Sequence, residues 1–336
     1  MIRNTTANAS AFIVSILAMS ALNSSYGFQL QKGKIISSSN LSISFVQSTK
    51  SGRNNDTSNN DVAPTTLFIH GLDSSSQTWQ GVQAALKSPS IAMDCRGCGQ
   101  SEMGDPSSFS AEALVEDVKS LVESHDLLKP RPFVLVGHSM GGRIAMEYAA
   151  AYPEDVAAVV VEDMDIRRRG LESNMIENFD YEKAIFFDRK HASLESLKNA
   201  YEEIGYPIEM LDKWIAEGRI EKERESYWSG VNPAFRALCY KTIFDSDCGV
   251  TAWTKIAKYL HDNRKNTHFQ VYLMLAGVGT VCDDENVRQM QLIMQNKMEG
   301  MSVISTKTYE KGTHSIHNSM RDDFMKDIEE IIRDAK

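Results

Sequence analysis

The stretch Phe133-Val-Leu-Val-Gly-His-Ser-Met-Gly-Gly142 decides the fold. It begins as an apolar, β-branched run, passes through a G-x-S-x-G motif centred on Ser139, and continues as a helical pattern. A strand, a sharp turn and a helix in this order are the context in which the motif becomes a nucleophile elbow. The turn crowds the backbone, so small residues are needed at Gly137 and Gly141. We therefore predict that Ser139 is a nucleophile raised above the edge of a sheet.

Composition narrows the kinds of partner that this chain can have. The 336 residues are 42% apolar and 24% charged, with a formal net charge of −9. Without a basic stripe to offset phosphate charge, a nucleic-acid partner is disfavoured. The run Arg167-Arg168-Arg169 is short, and we interpret it as a solvated loop.

The five cysteines do not indicate a metal or redox site. Cys95 and Cys98 form a C-x-x-C in a Gly-rich loop, but a zinc or thioredoxin-like site needs a second pair or another supporting context. Cys239 and Cys248 could form a disulfide in an oxidising compartment. We expect neither a metal nor an organic cofactor.

The N-terminus has the features of a targeting region. Arg3 precedes an apolar run at 11–22 that is too short to span a bilayer, which predicts a secretory signal peptide over 1–27. Residues 28–61 are rich in Ser, Thr and Asn and contain no acid before Asp56, as in transit peptides. The segment resembles either the second part of a plastid presequence from an alga with a secondary plastid or a disordered linker in a secreted or lumenal protein. Both alternatives predict an ordered chain from about Asp61 and no membrane span in the mature protein.

The remaining chain alternates strands with helices, which predicts an α/β fold with a mostly parallel sheet. Strand patterns lie at 65–70, 90–94, 133–136, 157–161, 269–275 and 302–308. Residues 166–267 are instead charged, helical and rich in aromatic residues, with no strand-like run. We interpret 62–165 and 268–336 as the core and 166–267 as a helical cap.

Two further segments supply the groups that a serine nucleophile needs. The turn His70-Gly71-Leu72 follows a strand, and the backbone N–H of Leu72 could bind an oxyanion together with the N–H of Met140. We interpret His70 itself as structural. His314 follows the last strand, where a general base is needed, and His317 is its competitor.

Together these motifs resemble the alpha/beta hydrolase superfamily, and most closely its ABHD11-like group and small bacterial serine esterases. The matching motifs are His70-Gly71-Leu72 with Trp79 downstream, Asp94-Cys-Arg-Gly-Cys-Gly-Gln-Ser101, Gly137-His-Ser-Met-Gly141 and Gly312-Thr-His-Ser-Ile-His317. The resemblance implies a mostly parallel sheet of eight strands flanked by helices, with a helical cap between strands six and seven. Independently of the resemblance, we interpret the Asp94–Ser101 segment as a structured turn beside the site and not as a nucleotide site, because no phosphate-binding helix start follows it.

The resemblance leaves the acid of the triad open. In many members the acid follows the seventh strand, but the usual place here holds Thr280, and Asp283 and Asp284 come later. In the ABHD11-like group the acid follows the sixth strand, and Asp163 matches that position. Its neighbours Asp165 and Glu162 are the remaining alternatives.

The expected activity is hydrolysis of a carboxylic ester through an acyl-enzyme, with a Ser139–His314–Asp163 triad. The substrate would be an apolar small molecule or lipid, and the protein a monomer or homodimer. Alternatives on the same triad are C–C bond hydrolysis, thioester cleavage and acyl transfer. A ligand-binding protein without turnover is a further alternative.

Overall fold

The structure is a computed structural model that describes residues 15–18, 28–50, 63–263, 269–295 and 304–335. In this part of the chain the strands are β1 (Ser15–Ala18), β2 (Phe28–Ile36), β3 (Ser42–Lys50), β4 (Thr66–Ile69), β5 (Ser90–Met93), β6 (Phe133–His138), β7 (Val156–Glu162), β8 (Lys190–His191), β9 (Ile220–Glu223), β10 (Ser226–Ser229), β11 (Gln270–Val278) and β12 (Ile304–Thr313).

The α-helices of the same residues are α1 (Gln80–Ala85), α2 (Ala111–Ser124), α3 (Met140–Ala151), α4 (Tyr181–Ala184), α5 (Leu194–Glu203), α6 (Ile208–Ala216), α7 (Pro233–Cys239), α8 (Cys248–Asn263), α9 (Asp284–Gln295), α10 (Ile316–Ser319) and α11 (Arg321–Asp334). The sequence explains their ends. Ser110 caps α2 by accepting a hydrogen bond from the Ala113 N–H. The helix α3 ends at Ala151, one residue before the Tyr152-Pro153 pair.

The main sheet has the strand order β1-β2-β3-β5-β4-β6-β7-β11-β12. The six strands from β5 to β12 in that order pair in parallel, and β2 and β3 add antiparallel pairs at one side. The prediction of a mostly parallel eight-stranded sheet is confirmed for β2–β7, β11 and β12, and β1 adds a short ninth strand. Because β5 and β6 lie on opposite sides of β4, the carboxyl ends of β4 and β6 open onto the region where sites form in such sheets.

Helices cover both faces of this sheet, as a buried parallel sheet requires. On one face α2, α3 and α8 pack in a large apolar cluster that includes Leu121, Ile144 and Trp253. On the other face α1 and α11 pack in a second cluster that includes Val82 and Phe324.

The prediction of a transit-like or disordered segment at 28–61 is wrong for residues 28–50, because β2 and β3 are strands of the main sheet. β3 pairs with β5, and Ile35, Ile43 and Phe45 are fully buried. Composition misled the prediction, since the polar residues of this hairpin alternate with apolar ones that face the core. Residues 51–61 lie outside the described residues, as does most of the predicted signal peptide; its Ser15–Ala18 segment pairs with β2.

The cap differs from its prediction in two respects. It contains a small antiparallel sheet of order β8-β10-β9, although no strand was expected there. In addition, α8 packs on the core beside α3, so the cap ends before Cys248 and not at 267. The cap has a separate apolar cluster, which includes Tyr201, Tyr206 and Trp214. These strands were missed because two to four residues are too short to show a period of two.

No helix among the described residues is long and apolar enough to cross a bilayer.

Candidate active site

The elbow at Ser139 is strained in the way that its motif predicts. Ser139 joins β6 to α3 with φ 52° and ψ −121°, a conformation that residues other than glycine rarely adopt. Its own N–H donates to the carbonyl oxygen of Glu162 at 2.9 Å. The N–H of Met140, the first residue of α3, has no acceptor within the helix because of its terminal position. It is therefore suited to bind an anion.

Two glycines make this turn possible. A Cβ atom on Gly137 would lie 2.1 Å from the carbonyl oxygen of Gly141, and one on Gly141 would lie 2.3 Å from that of Ile69. Both contacts involve backbone atoms, which cannot rotate away. The strand–turn–helix geometry predicted from the motif is present in the structure.

His314 and Asp163 form a hydrogen-bonded pair at the ends of β12 and β7. Nδ1 of His314 lies 2.6 Å from Oδ2 of Asp163. The Asp163 side chain is buried, whereas a third of the His314 side chain is exposed. The neighbouring His138 donates from Nε2 to the His314 carbonyl oxygen at 2.9 Å, and their ring centroids are 4.7 Å apart. His138 directly precedes Ser139, so the His314 loop lies against the elbow.

Three groups besides His314 donate hydrogen bonds to Asp163. The Ala276 N–H donates to Oδ1 at 3.1 Å, the Val281 N–H donates to Oδ2 at 3.2 Å, and the Thr280 hydroxyl donates to Oδ1. Burial raises the pKa of Asp163, but the hydrogen bonds from His314, Thr280 and Ala276 outweigh it and hold the pKa below the usual value. The carboxylate therefore stays ionised beside the histidine at neutral pH.

The buried alternatives for the acid have other partners. Asp165 is bound by arginine side chains at 3.4, 3.0 and 2.8 Å, from Arg143, Arg167 and Arg169 in that order. The carboxylate of Glu162 accepts hydrogen bonds from the N–H and the Nδ1 of His317, all at 2.9 Å. The run at 167–169 is accordingly only partly a solvated loop, since the Arg169 side chain is largely buried.

The two alternatives after β11 are exposed. Asp283 is exposed and accepts hydrogen bonds from the N–H and side chain of Asn286 at the start of α9. Asp284 is the exposed first residue of α9. Thr280, at the usual acid position of that loop, instead donates its hydroxyl hydrogen bond to Asp163, which follows the neighbouring strand β7. Sequence reasoning noted its position but missed this contact.

His317 lies in a buried pair behind the elbow. Besides Glu162 it contacts the Thr78 hydroxyl, 2.7 Å from Nε2, and its ring lies 4.2 Å from that of Trp79. It is fully buried, whereas His314 is partly exposed. Of the two candidate bases, His314 is therefore the one with access to solvent.

His70 holds the turn that carries Leu72. Its Nε2 accepts from the Cys95 N–H at 3.0 Å, so its Nδ1 is the donor to the Gly71 carbonyl oxygen at 2.7 Å. Burial lowers the pKa of His70, which favours this neutral form. In a trans peptide the N–H points opposite to the C=O, so the Leu72 N–H points away from the His70 ring. A Cβ on Gly71 would lie 3.0 Å from the Cβ of Ser139, which places this turn against the elbow.

The 94–101 segment is a structured turn. The Asp94 carboxylate accepts from the N–H groups of Ser76 and Gln100 at 2.7 and 2.9 Å. Arg96 forms a buried ion pair with Asp117 at 2.6 Å. All five cysteines are free thiols, and the described residues contain no cluster of three or more His, Cys, Asp or Glu side chains arranged to hold a metal ion.

Sequence reasoning also missed the cap residues that reach this site. Arg236, Tyr206 and Arg219 each contact Asp73, the residue after Leu72. They lie 133 to 163 positions further along the chain. No local pattern could have indicated these contacts.

Comparison with known proteins agrees with the fold described above. A family model described as the alpha/beta hydrolase fold matches residues 64–189. The chain is 38% identical to protein phosphatase methylesterase 1 of Mus musculus over 92 residues, which cover 26% of this chain and 24% of that protein. It is 29% identical to the lipase LipV of Mycobacterium tuberculosis over 176 residues, 52% of this chain and 64% of LipV. The chain thus matches about a quarter of the methylesterase's length and less than two thirds of LipV.

A solved structure extends the likeness over nearly the whole chain. An alpha/beta hydrolase from Novosphingobium aromaticivorans DSM 12444 superposes with a TM-score of 0.59 at 14% identity, covering 92% of this chain and 99% of that chain. At this identity the likeness shows the fold alone. The family model, the sheet order and this solved structure agree that the chain has the alpha/beta hydrolase fold.

Proposed function

We propose that this protein is a serine hydrolase that cleaves carboxylic esters through an acyl-enzyme. Ser139 attacks the acyl carbonyl, His314 accepts its proton, and Asp163 orients and stabilises the imidazolium that forms. His314 then returns the proton to the leaving alcohol. In the second half of the cycle His314 activates water, which attacks the acyl group and frees Ser139.

The Asp163–His314 pair is the observation that carries this proposal. In the neutral imidazole, a Nδ1 donor held at 2.6 Å by an ionised carboxylate leaves the other ring nitrogen, Nε2, with a free lone pair that can act as a base. The buried carboxylate is itself held by the Thr280 hydroxyl and two backbone N–H groups, so the orientation of the imidazole is defined. A histidine that only packed in the core would not need a partner of this kind at the edge of solvent.

Two backbone N–H groups are suited to the oxyanion of the tetrahedral intermediate. Met140 provides one at the N-terminus of α3, where the helix dipole also favours negative charge. Leu72 provides the other from the turn that His70 holds against the elbow. Fixed donors of this kind commonly contribute about 100- to 1000-fold each to kcat.

The substrate that we propose is an ester with an apolar acyl or alcohol part. The similarity to LipV, over about half of this chain, supports this class. The cap's aromatic residues give less support than their number suggests, since Phe179, Tyr201, Tyr206 and Trp214 pack on one another.

Labelling with a fluorophosphonate probe tests the proposed mechanism. The wild-type protein is expected to form a covalent adduct that peptide mass spectrometry locates on Ser139, and Ser139→Ala is expected to form none. Hydrolysis of p-nitrophenyl esters should fall in parallel, to about one thousandth or less of the wild-type kcat, because the nucleophile is lost.

Ser319→Ala is the matched control, because Ser319 is an exposed serine that bonds to the Thr313 N–H and the Ser315 carbonyl. It should label like the wild type. Equal labelling of the wild type and Ser139→Ala would overturn the proposed mechanism. A series of acyl chains from acetyl to octanoyl tests the substrate class, and a kcat/KM insensitive to chain length would contradict it.

A further inference from the structure

Side chains of the cap hold Asp73, the residue that follows the predicted oxyanion donor Leu72. The Asp73 side chain is only 9% exposed and forms an ion pair with Arg236 of α7. Arg236 Nε lies 3.0 and 3.2 Å from the two carboxylate oxygens, and its Nη2 also donates to Oδ2. The Tyr206 hydroxyl donates to Oδ1 at 2.8 Å, and Arg219 donates to the backbone carbonyl of Asp73 at 2.6 Å.

Among the described residues, the three partners of the Asp73 side chain and carbonyl belong to the cap, whereas the preceding turn is held from the core. Arg236 lies in α7, Tyr206 between α5 and α6, and Arg219 between α6 and β9. On the core side, His70 fixes the Gly71 carbonyl. The N–H of Leu72 therefore lies between one anchor in the core and one in the cap.

We propose that Asp73 is a positioning residue that makes the oxyanion geometry at Leu72 depend on the seated cap. This inference rests on the proposed function, since it concerns the same oxyanion. Asp73 has φ 52°, a conformation that costs free energy for a residue other than glycine and persists only where surrounding contacts impose it. Without the cap contacts, the turn would relax to another backbone conformation, and the Leu72 N–H would no longer point toward the oxyanion.

Charge gives a second reason why Asp73 needs its contact with Arg236. A bare carboxylate on the residue after Leu72 would disfavour the negative charge that develops on the oxyanion. The bidentate pair with Arg236 neutralises it in place. The cap therefore supplies both the orientation of this turn and the cation that makes its acidic residue compatible with catalysis.

Two buried tyrosines of the cap provide a matched test. The hydroxyl of Tyr206 reaches Asp73, whereas the hydroxyl of Tyr201 stays within the cap, at 2.7 Å from the Ser229 hydroxyl and 3.0 Å from the Val231 carbonyl. Both side chains are fully or nearly fully buried, and their rings lie 5.3 Å apart. Each Tyr→Phe substitution removes one buried hydroxyl from the same cluster.

We expect Tyr206→Phe to lower kcat for a p-nitrophenyl ester about tenfold with KM within about twofold, since small displacements of a catalytic group cost up to about 100-fold. Binding of a trifluoromethyl ketone, which forms a tetrahedral oxyanion adduct, should weaken by a similar factor. Tyr201→Phe should leave both values close to those of the wild type. Thermal unfolding of both variants reports any general loss of cap stability.

A second variant separates positioning from charge. Asp73→Asn keeps the shape of the side chain but removes its charge, and is expected to lower kcat more than Tyr206→Phe does, because it also leaves Arg236 buried without its counter-ion. Equal kcat in all four proteins, or equal losses in the two Tyr→Phe variants, would overturn the inference. A Ser139→Ala protein that is labelled, or that hydrolyses the ester, like the wild type would instead overturn the proposed function, so the two failures are distinguishable.

Discussion

At the scale of single residues, the structure distinguishes three neighbouring carboxylates by their hydrogen-bond partners. Asp163, Asp165 and Glu162 lie within four positions of one another, yet each faces different partners. Only Asp163 contacts His314 among the contacts that the structure describes for these three. Its donor Thr280 lies in the loop after the neighbouring strand β11, so residues that follow two adjacent strands together hold this carboxylate.

Asp163→Asn is therefore expected to lower kcat by about 1000- to 10,000-fold, because an amide in place of the carboxylate favours the wrong tautomer of His314. Steady-state hydrolysis of p-nitrophenyl esters measures this loss. Asp284→Asn is the matched control at an exposed position and should retain the wild-type kcat. A loss confined to Asp284→Asn would assign the acid to the loop after β11 instead.

At the scale of elements, the β2–β3 hairpin closes one side of the sheet. Phe45 packs over Gly33, where a Cβ would lie 2.3 Å from the Phe45 ring, and the ring of His125 meets Phe45 edge-on at 4.8 Å. Ile35 and Ile43 join the same core cluster. Burial of these three large side chains contributes about 5 to 9 kcal/mol, which is comparable with the total stability of a typical domain.

A truncated chain that begins at Asp61 is accordingly expected not to fold. Its β5 would become an exposed sheet edge beside an uncovered apolar face, and such edges promote aggregation. Soluble yield and the cooperativity of thermal unfolding measure this. A chain that begins at Phe28 retains the hairpin and is expected to unfold cooperatively. A cooperative transition in the shorter chain would show that the hairpin is dispensable.

At the scale of the whole molecule, buried histidines make stability depend on pH. Burial lowers the pKa of His125 to about 4 and that of His138 to about 3. His125 uses both ring nitrogens in its neutral form, since Nε2 donates to Gln47 of β3 and Nδ1 accepts from the Leu127 N–H. Between these values and the unfolded pKa of about 6.5, the unfolded chain binds protons that the folded chain does not. The contribution of these two neutral histidines to the unfolding free energy is therefore fully present above about pH 6.5 and is lost as the pH decreases toward their folded-state pKa values.

His125→Gln should make this dependence shallower. Loss of one titrating histidine is expected to reduce the slope of the unfolding free energy against pH by up to about 1.4 kcal/mol per pH unit between pH 4.5 and 6. Urea unfolding at several pH values measures the slope, and the difference at pH 8 gives the cost of the substitution itself. Identical slopes in the two proteins would show that His125 does not contribute.

Local patterns were sufficient for the central strands, the elbow at Ser139 and the turn at His70, because steric demands at Gly137, Gly141 and Gly71 are met within a few residues. Local patterns failed for residues 28–50, whose many Ser and Lys residues indicated a disordered segment. In the structure this segment forms the β2–β3 hairpin, in which β3 pairs with β5 and Phe45 is buried. The contacts that set Asp163 apart from Asp165, Glu162, Asp283 and Asp284 needed the pairing of β7 with β11, which brings Thr280 onto it. The contacts between the cap and Asp73 were likewise decided by the tertiary structure alone. Residues more than a hundred positions apart are brought together by packing and charge neutralisation in space, which produce no periodic pattern along the chain.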